Sequence, residues 1–148
     1  MLKSEPQFSK GDNVNRKEVN MADELLTEIR DGIGKITLNR PKLLNSISIE
    51  SLELLIKALQ DFLNNSEVRV VILTGNGRAF CAGADQGEMI MRQPGEWEEI
   101  VERYLDPIRF ISKSDKPVIA SINGDAVGGG LGLNRTNDTY LFRVLLYY

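Results

Sequence analysis

The sequence contains no histidine. That absence excludes Ser–His and Cys–His nucleophilic dyads, histidine metal sites and imidazole acid–base chemistry within the chain. Any catalysis rests on carboxylates, backbone amides or another chain. Cysteine occurs once, at Cys81, which excludes an intrachain disulfide framework and a cysteine-rich zinc site. No metal is expected, and so low a count fits a reducing, cytoplasmic setting. No apolar run approaches the roughly 18 residues of a membrane span, and Lys3 and Glu5 precede no signal-peptide core, so no membrane association is expected. A basic excess is missing too: 18 Lys+Arg stand against 21 Asp+Glu, a net charge of -3, which argues against a nucleic-acid partner. What remains is a chain of 148 residues, 42% hydrophobic and 26% charged, the size and composition of one ordinary globular domain.

Residues 1–20 carry scattered apolar side chains without helical or strand period and read as a disordered extension, with 21–133 as the core. Leu25–Arg30 and Ile33–Leu38 flank Asp31-Gly32, a strand–turn–strand pattern. Ser46 or Ser48 can cap a helix running to about Asn64, with Leu52, Leu55, Ile56, Leu59, Phe62 and Leu63 on one face. Val68–Leu73 and Val118–Ile122 are short β-branched runs that predict buried strands. Between them a second helix is predicted over about Glu96–Ser112, with Trp97, Ile100, Val101, Tyr104, Leu105, Ile108 and Ile111 inward. Pro107 inside it predicts a kink. Strand, helix, strand, helix, strand implies an α/β fold with parallel strands and crossover helices.

Most of the 13 glycines gather in two clusters, Gly75–Gly87 and Gly124–Gly132, each following a predicted strand. Glycine-rich loops at the carboxyl ends of parallel strands either let a ligand approach the backbone or simply make tight turns. Neither cluster carries a nucleotide fingerprint. Two such loops can offer amide N–H groups to one oxygen that becomes negative during reaction, an oxyanion hole that needs no histidine.

Arg78-Ala79-Phe80-Cys81-Ala82-Gly83-Ala84-Asp85 resembles the first motif of the crotonase (enoyl-CoA hydratase/isomerase) superfamily. Lys116–Gly124, continuing through Ala126-Val127-Gly128-Gly129-Gly130, resembles the second. Ile36–Pro41 with Asn45-Ser46-Ile47 resembles the family's first-strand exit, and Val70–Gly75 the strand before the first motif. The similarity spans about Leu25 to Leu133 and implies a crotonase-like ββα spiral, here incomplete.

The resemblance implies an enzyme acting on acyl-CoA thioesters, with CoA as part of the substrate and no separate cofactor. It implies an enolate held by the backbone amides of Ala84 and Gly129. Ala82, Ala84, Asp85, Gln86 and Gly129 fall where the family holds CoA, and Arg40 and Lys42 near its phosphates. Arg40 and Lys42 read equally as a solvated turn, and Asp85 as a helix cap. Cys81 reads as packing, with nothing nearby to activate it.

Gly132 stands where the family's hydratases commonly carry a glutamate, so an isomerase or related enzyme is expected over a two-glutamate hydratase. Full-length members are expected to form homotrimers or hexamers. Residues 134–148 match the family poorly and read as an atypical tail, from a lost-partner strand or an out-of-frame translation. The alternative expectation is therefore a truncated, inactive fragment that at most binds CoA or co-assembles with full-length subunits.

Overall fold

The computed structural model describes residues 17–21 and 24–128. Its larger sheet has five strands: β1 (Lys17–Met21), β2 (Leu25–Arg30), β3 (Ile33–Leu38), β4 (Val70–Gly75) and β6 (Val118–Ser121), in the order β1-β2-β3-β4-β6. The first two pairings are antiparallel and the last two parallel. A smaller parallel pair joins β5 (Ala79–Cys81) to β7 (Asp125–Ala126). Helices α1 (Ile49–Asn64) and α3 (Trp97–Ser112) are the crossovers, and a short α2 (Gln86–Ile90) follows β5. This is the expected mixed α/β arrangement, with parallel strands joined through helices. The described residues stop at Gly128, so the reading of residues 129–148, the atypical tail included, falls outside them.

The hairpin forms where the sequence predicts it because Asp31 and Gly32 both take positive φ, 53° and 82°, and turn the chain within two residues. One expectation is corrected at its start. The sequence pattern places residues 17–20 in the disordered extension, yet they belong to β1, where Val19 pairs with Thr27 and Glu18 with Glu28. Backbone pairing against β2 supplies an order that a sparse apolar pattern does not announce.

α1 begins at Ser48, whose side chain accepts from the Ser51 amide. Its buried face, Leu52, Leu55, Leu59 and Phe62, recurs at three- and four-residue steps and packs under Ile36, Leu38, Val71 and Leu73 of the sheet. β4 starts two residues later than its apolar run. Val68 is buried, but its amide closes a turn onto Asn65, and pairing begins only at Val70.

Among its described side chains, which do not include Trp97, α3 buries a narrower stripe than its composition predicts. Ile100, Pro107 and Ile111 are buried and Tyr104 and Ile108 half-buried, whereas Val101 and Leu105, expected inward, lie a quarter-turn off that stripe and are exposed. Pro107 sits inside α3 without ending it.

Candidate functional site

The first glycine cluster straddles β5, with Gly83 in the loop that leaves it, and the second straddles β7, with Gly128 just beyond it. Parallel pairing of those strands, extended by a 2.9 Å hydrogen bond from the Val127 amide to the Cys81 carbonyl, lays the loops side by side. They approach closely at Gly83 and Gly128: a Cβ on Gly128 would stand 3.9 Å from the Gly83 Cα. Gly83 itself has φ +90°, a conformation that a side chain strongly disfavours. That turn hands the chain to Ala84.

Ala84 makes a parallel bridge with Ile47. The Ile47 amide donates to Gly83 O at 2.7 Å, and its carbonyl accepts the Asp85 amide at 2.9 Å. In this pattern the bonds to Ile47 use the peptide groups on either side of Ala84, so the Ala84 N–H points the opposite way. Among the described residues nothing accepts a hydrogen bond from it. The result is a half-buried, oriented amide donor at the end of a strand.

Two further side chains fix the loop. Asn45 is 1% exposed and takes φ 55°, which asparagine tolerates better than most residues. Its Oδ1 accepts from the Arg40 amide, while its Nδ2 donates to the Asn76 and Ala79 carbonyls at 2.9 and 2.7 Å. One side chain thus ties the exit of β3 to the entrance of β5. The Tyr104 hydroxyl donates to Ile47 O at 2.6 Å. Burial, followed by the charges of Glu88 and Asp85, pushes its pKa up to about 12 against the pull of Arg40.

Asp85 caps α2, its Oδ1 accepting from the amides of Gly87 and Glu88. Its Oδ2 meets Arg40 Nη1 at 2.8 Å and accepts from Ser46 Oγ. Burial opposes ionisation of Asp85, but the Arg40 hydrogen bond, the two capping amides and the Arg40 charge outweigh it and hold the carboxyl below the usual aspartate range. Arg40 also meets Glu24 at 3.1 Å and donates to the Ser46 carbonyl. Glu88 accepts from the Ile49 amide at the start of α1. Burial raises the Cys81 thiol, partly offset by the Gly83 amide that donates to its sulfur, so it stays a protonated packing group.

The structure therefore brings Arg40, Ala84 and Asp85 together, while Ala82 precedes them in the loop with its amide donating to the Leu44 carbonyl at 3.0 Å. Lys42 stands apart, exposed in the turn Pro41–Leu43, and Gln86 is exposed at the first position of α2. Gly129 lies outside the described residues. Arg40, expected beside a phosphate, faces two carboxylates instead. Glu24, Asn45 and Tyr104 went unread as site residues because their partners are remote: Tyr104 and Ile47 are 57 positions apart. No group of three or more His, Cys, Asp or Glu that could hold a metal occurs among the described residues.

A family model described as enoyl-CoA hydratase/isomerase matches residues 28–143. YngF of Bacillus subtilis, assigned to the enoyl-CoA hydratases/isomerases, is 42% identical over 115 residues, covering 76% of this chain and 44% of that protein. The 1,2-epoxyphenylacetyl-CoA isomerase of Escherichia coli is 36% identical over 117 residues, covering 76% and 45%. A crystal structure of enoyl-CoA hydratase from Mycobacterium smegmatis superposes with a TM-score of 0.74 at 33% identity, covering 79% and 46%. The chain spans less than half the length of each of these relatives.

Proposed function

The chain belongs to the enoyl-CoA hydratase/isomerase family, and from that premise we propose that it binds an acyl-CoA thioester with the thioester oxygen on the amides of Ala84 and Gly129. As a base removes the α-proton, the C–H electron pair passes through the thioester onto that oxygen. Two fixed N–H donors stabilise the enolate without any reorganisation at the moment of charge transfer. The observation carrying this reading is the Ala84 amide, turned away from Ile47 and without an acceptor among the described residues. Ala82 and Gln86 flank the path of the pantetheine arm, and exposed Lys42 is the cation for the CoA phosphates. Gly132 in place of the hydratase glutamate favours isomerase or related chemistry over hydration.

A second reading, binding without turnover, draws on the neighbouring carboxylates. Asp85 is engaged by Arg40 and two capping amides, and Glu88 by the Ile49 amide, so neither is poised as a proton shuttle. Both readings are tested by titrating the chain with acetoacetyl-CoA, whose enolate has its own ultraviolet absorbance, and by assaying crotonyl-CoA hydration and 3-enoyl-CoA isomerisation. Enolate absorbance that Ala84→Pro removes is expected, since losing one donor of this kind costs about 2.7–4 kcal/mol. An enolate signal with no turnover selects the binding reading. Turnover approaching roughly 1–10³ s⁻¹ selects the enzyme, and an unchanged signal in Ala84→Pro overturns both.

A further inference from the structure

We propose that Arg40 is a positioning residue for the Ala84 amide and not a ligand for the CoA phosphates, an inference that rests on the thioester-binding reading above. Its side chain is only 14% exposed, and its guanidinium reaches three segments at once. Nε meets Glu24 Oε1 at 3.1 Å beside the start of β2. Nη1 donates to the Ser46 carbonyl at 2.7 Å, next to Ile47, and meets Asp85 Oδ2 at 2.8 Å, next to Ala84. The two residues that bracket the Ile47–Ala84 bridge are therefore held by one planar group. Glu24 extends the clamp, because its Oε2 accepts from Ser48 Oγ, the cap of α1, at 2.6 Å.

The chemistry of the cluster agrees with this role. A largely buried ion pair adds little net stability over an apolar replacement, since desolvating both charges offsets their attraction. What it supplies is geometry: a fork of fixed donors that holds its acceptors in one arrangement. A phosphate arriving at this guanidinium would have to displace Asp85 or Glu24. Lysine would serve a phosphate as a point charge, but its single nitrogen lacks the planar fork whose separate Nε and Nη1 reach Glu24 and Asp85 together.

The test compares Arg40→Met, Arg40→Lys and Lys42→Met with two probes, acetoacetyl-CoA and acetoacetyl-pantetheine, the second lacking the CoA phosphates. A clamp predicts that Arg40→Met and Arg40→Lys both lose the enolate absorbance with either probe, by on the order of 10²-fold in apparent affinity, the penalty for displacing a reacting group by an ångström. Lys42→Met should weaken only acetoacetyl-CoA. If Arg40 substitutions weaken acetoacetyl-CoA but leave acetoacetyl-pantetheine unchanged, or if Arg40→Lys restores full binding, the clamp is overturned and Arg40 is a phosphate ligand. Absence of an enolate signal in the parent chain sinks the thioester reading instead.

Amide hydrogen exchange then decides the clamp without any ligand. In Arg40→Lys, which keeps the charge and hence the fold, the Ile47 and Asp85 amides should exchange roughly tenfold faster while Ile72 and Leu73 of β4 hold their protection. Unchanged exchange at Ile47 and Asp85 overturns the proposal.

Discussion

Tyr104 concentrates several of the site's physical constraints in one side chain. Its hydroxyl donates to Ile47 O, the same carbonyl that accepts the Asp85 amide, so a single oxygen anchors both α3 and the Ala84 loop. Burial and the nearby carboxylates favour the neutral phenol, which places its pKa at about 12. The sign follows: a raised folded-state value contributes stability fully below the unfolded value of about 10 and loses it as pH rises from there toward the folded value. Alkaline spectrophotometric titration should therefore show one tyrosine ionising later than an exposed one, absent in Tyr104→Phe. That substitution should cost about 0.5–1.5 kcal/mol in urea unfolding at neutral pH, the net contribution of one hydrogen bond.

The regular elements follow from short-range causes. α1 is a three- and four-residue apolar pattern with a serine cap, and Leu55 at its centre is fully buried. Leu55→Ala should lower the unfolding free energy by about 2–5 kcal/mol, read from the urea midpoint with the slope unchanged. The hairpin of β2 and β3 was legible for the same local reason, Asp-Gly between two alternating strands. From spacing alone the site was legible only as a pair of glycine loops, and it took the motif resemblance to name individual residues within them. β5 and β7 are three and two residues long, and they become strands only by pairing with each other from far apart along the chain, Ala79 with Asp125 and Cys81 with Ala126. The resemblance implied Arg40 near the CoA phosphates, and the direction its guanidinium takes was not legible. That depends on Glu24 and Asp85, which no local spacing connects. Val101 and Leu105 erred the other way, their apolar character suggesting contacts that the packing angle of α3 leaves unmade.

Across the whole molecule, the Glu24–Arg40–Asp85 cluster joins the start of β2, the exit of β3 and the cap of α2, so its protonation is felt by the global stability. Because the Asp85 carboxyl is held below its ordinary range, it contributes stability above the unfolded value of about 3.9 that is lost as pH falls through the lowered folded value. Urea unfolding across an acid pH series should show this decline, and Asp85→Asn should flatten that part of it while starting from lower stability at neutral pH. The strand order has a consequence in time as well as in space. β4 takes one neighbour from β3 early in the chain, but its other neighbour, β6, begins only at Val118. As the chain leaves the ribosome, amino end first, the apolar edge of β4 must wait unpaired while α3 is made. Synthesis speed across those residues thus sets how long a sticky strand edge stays open to other chains.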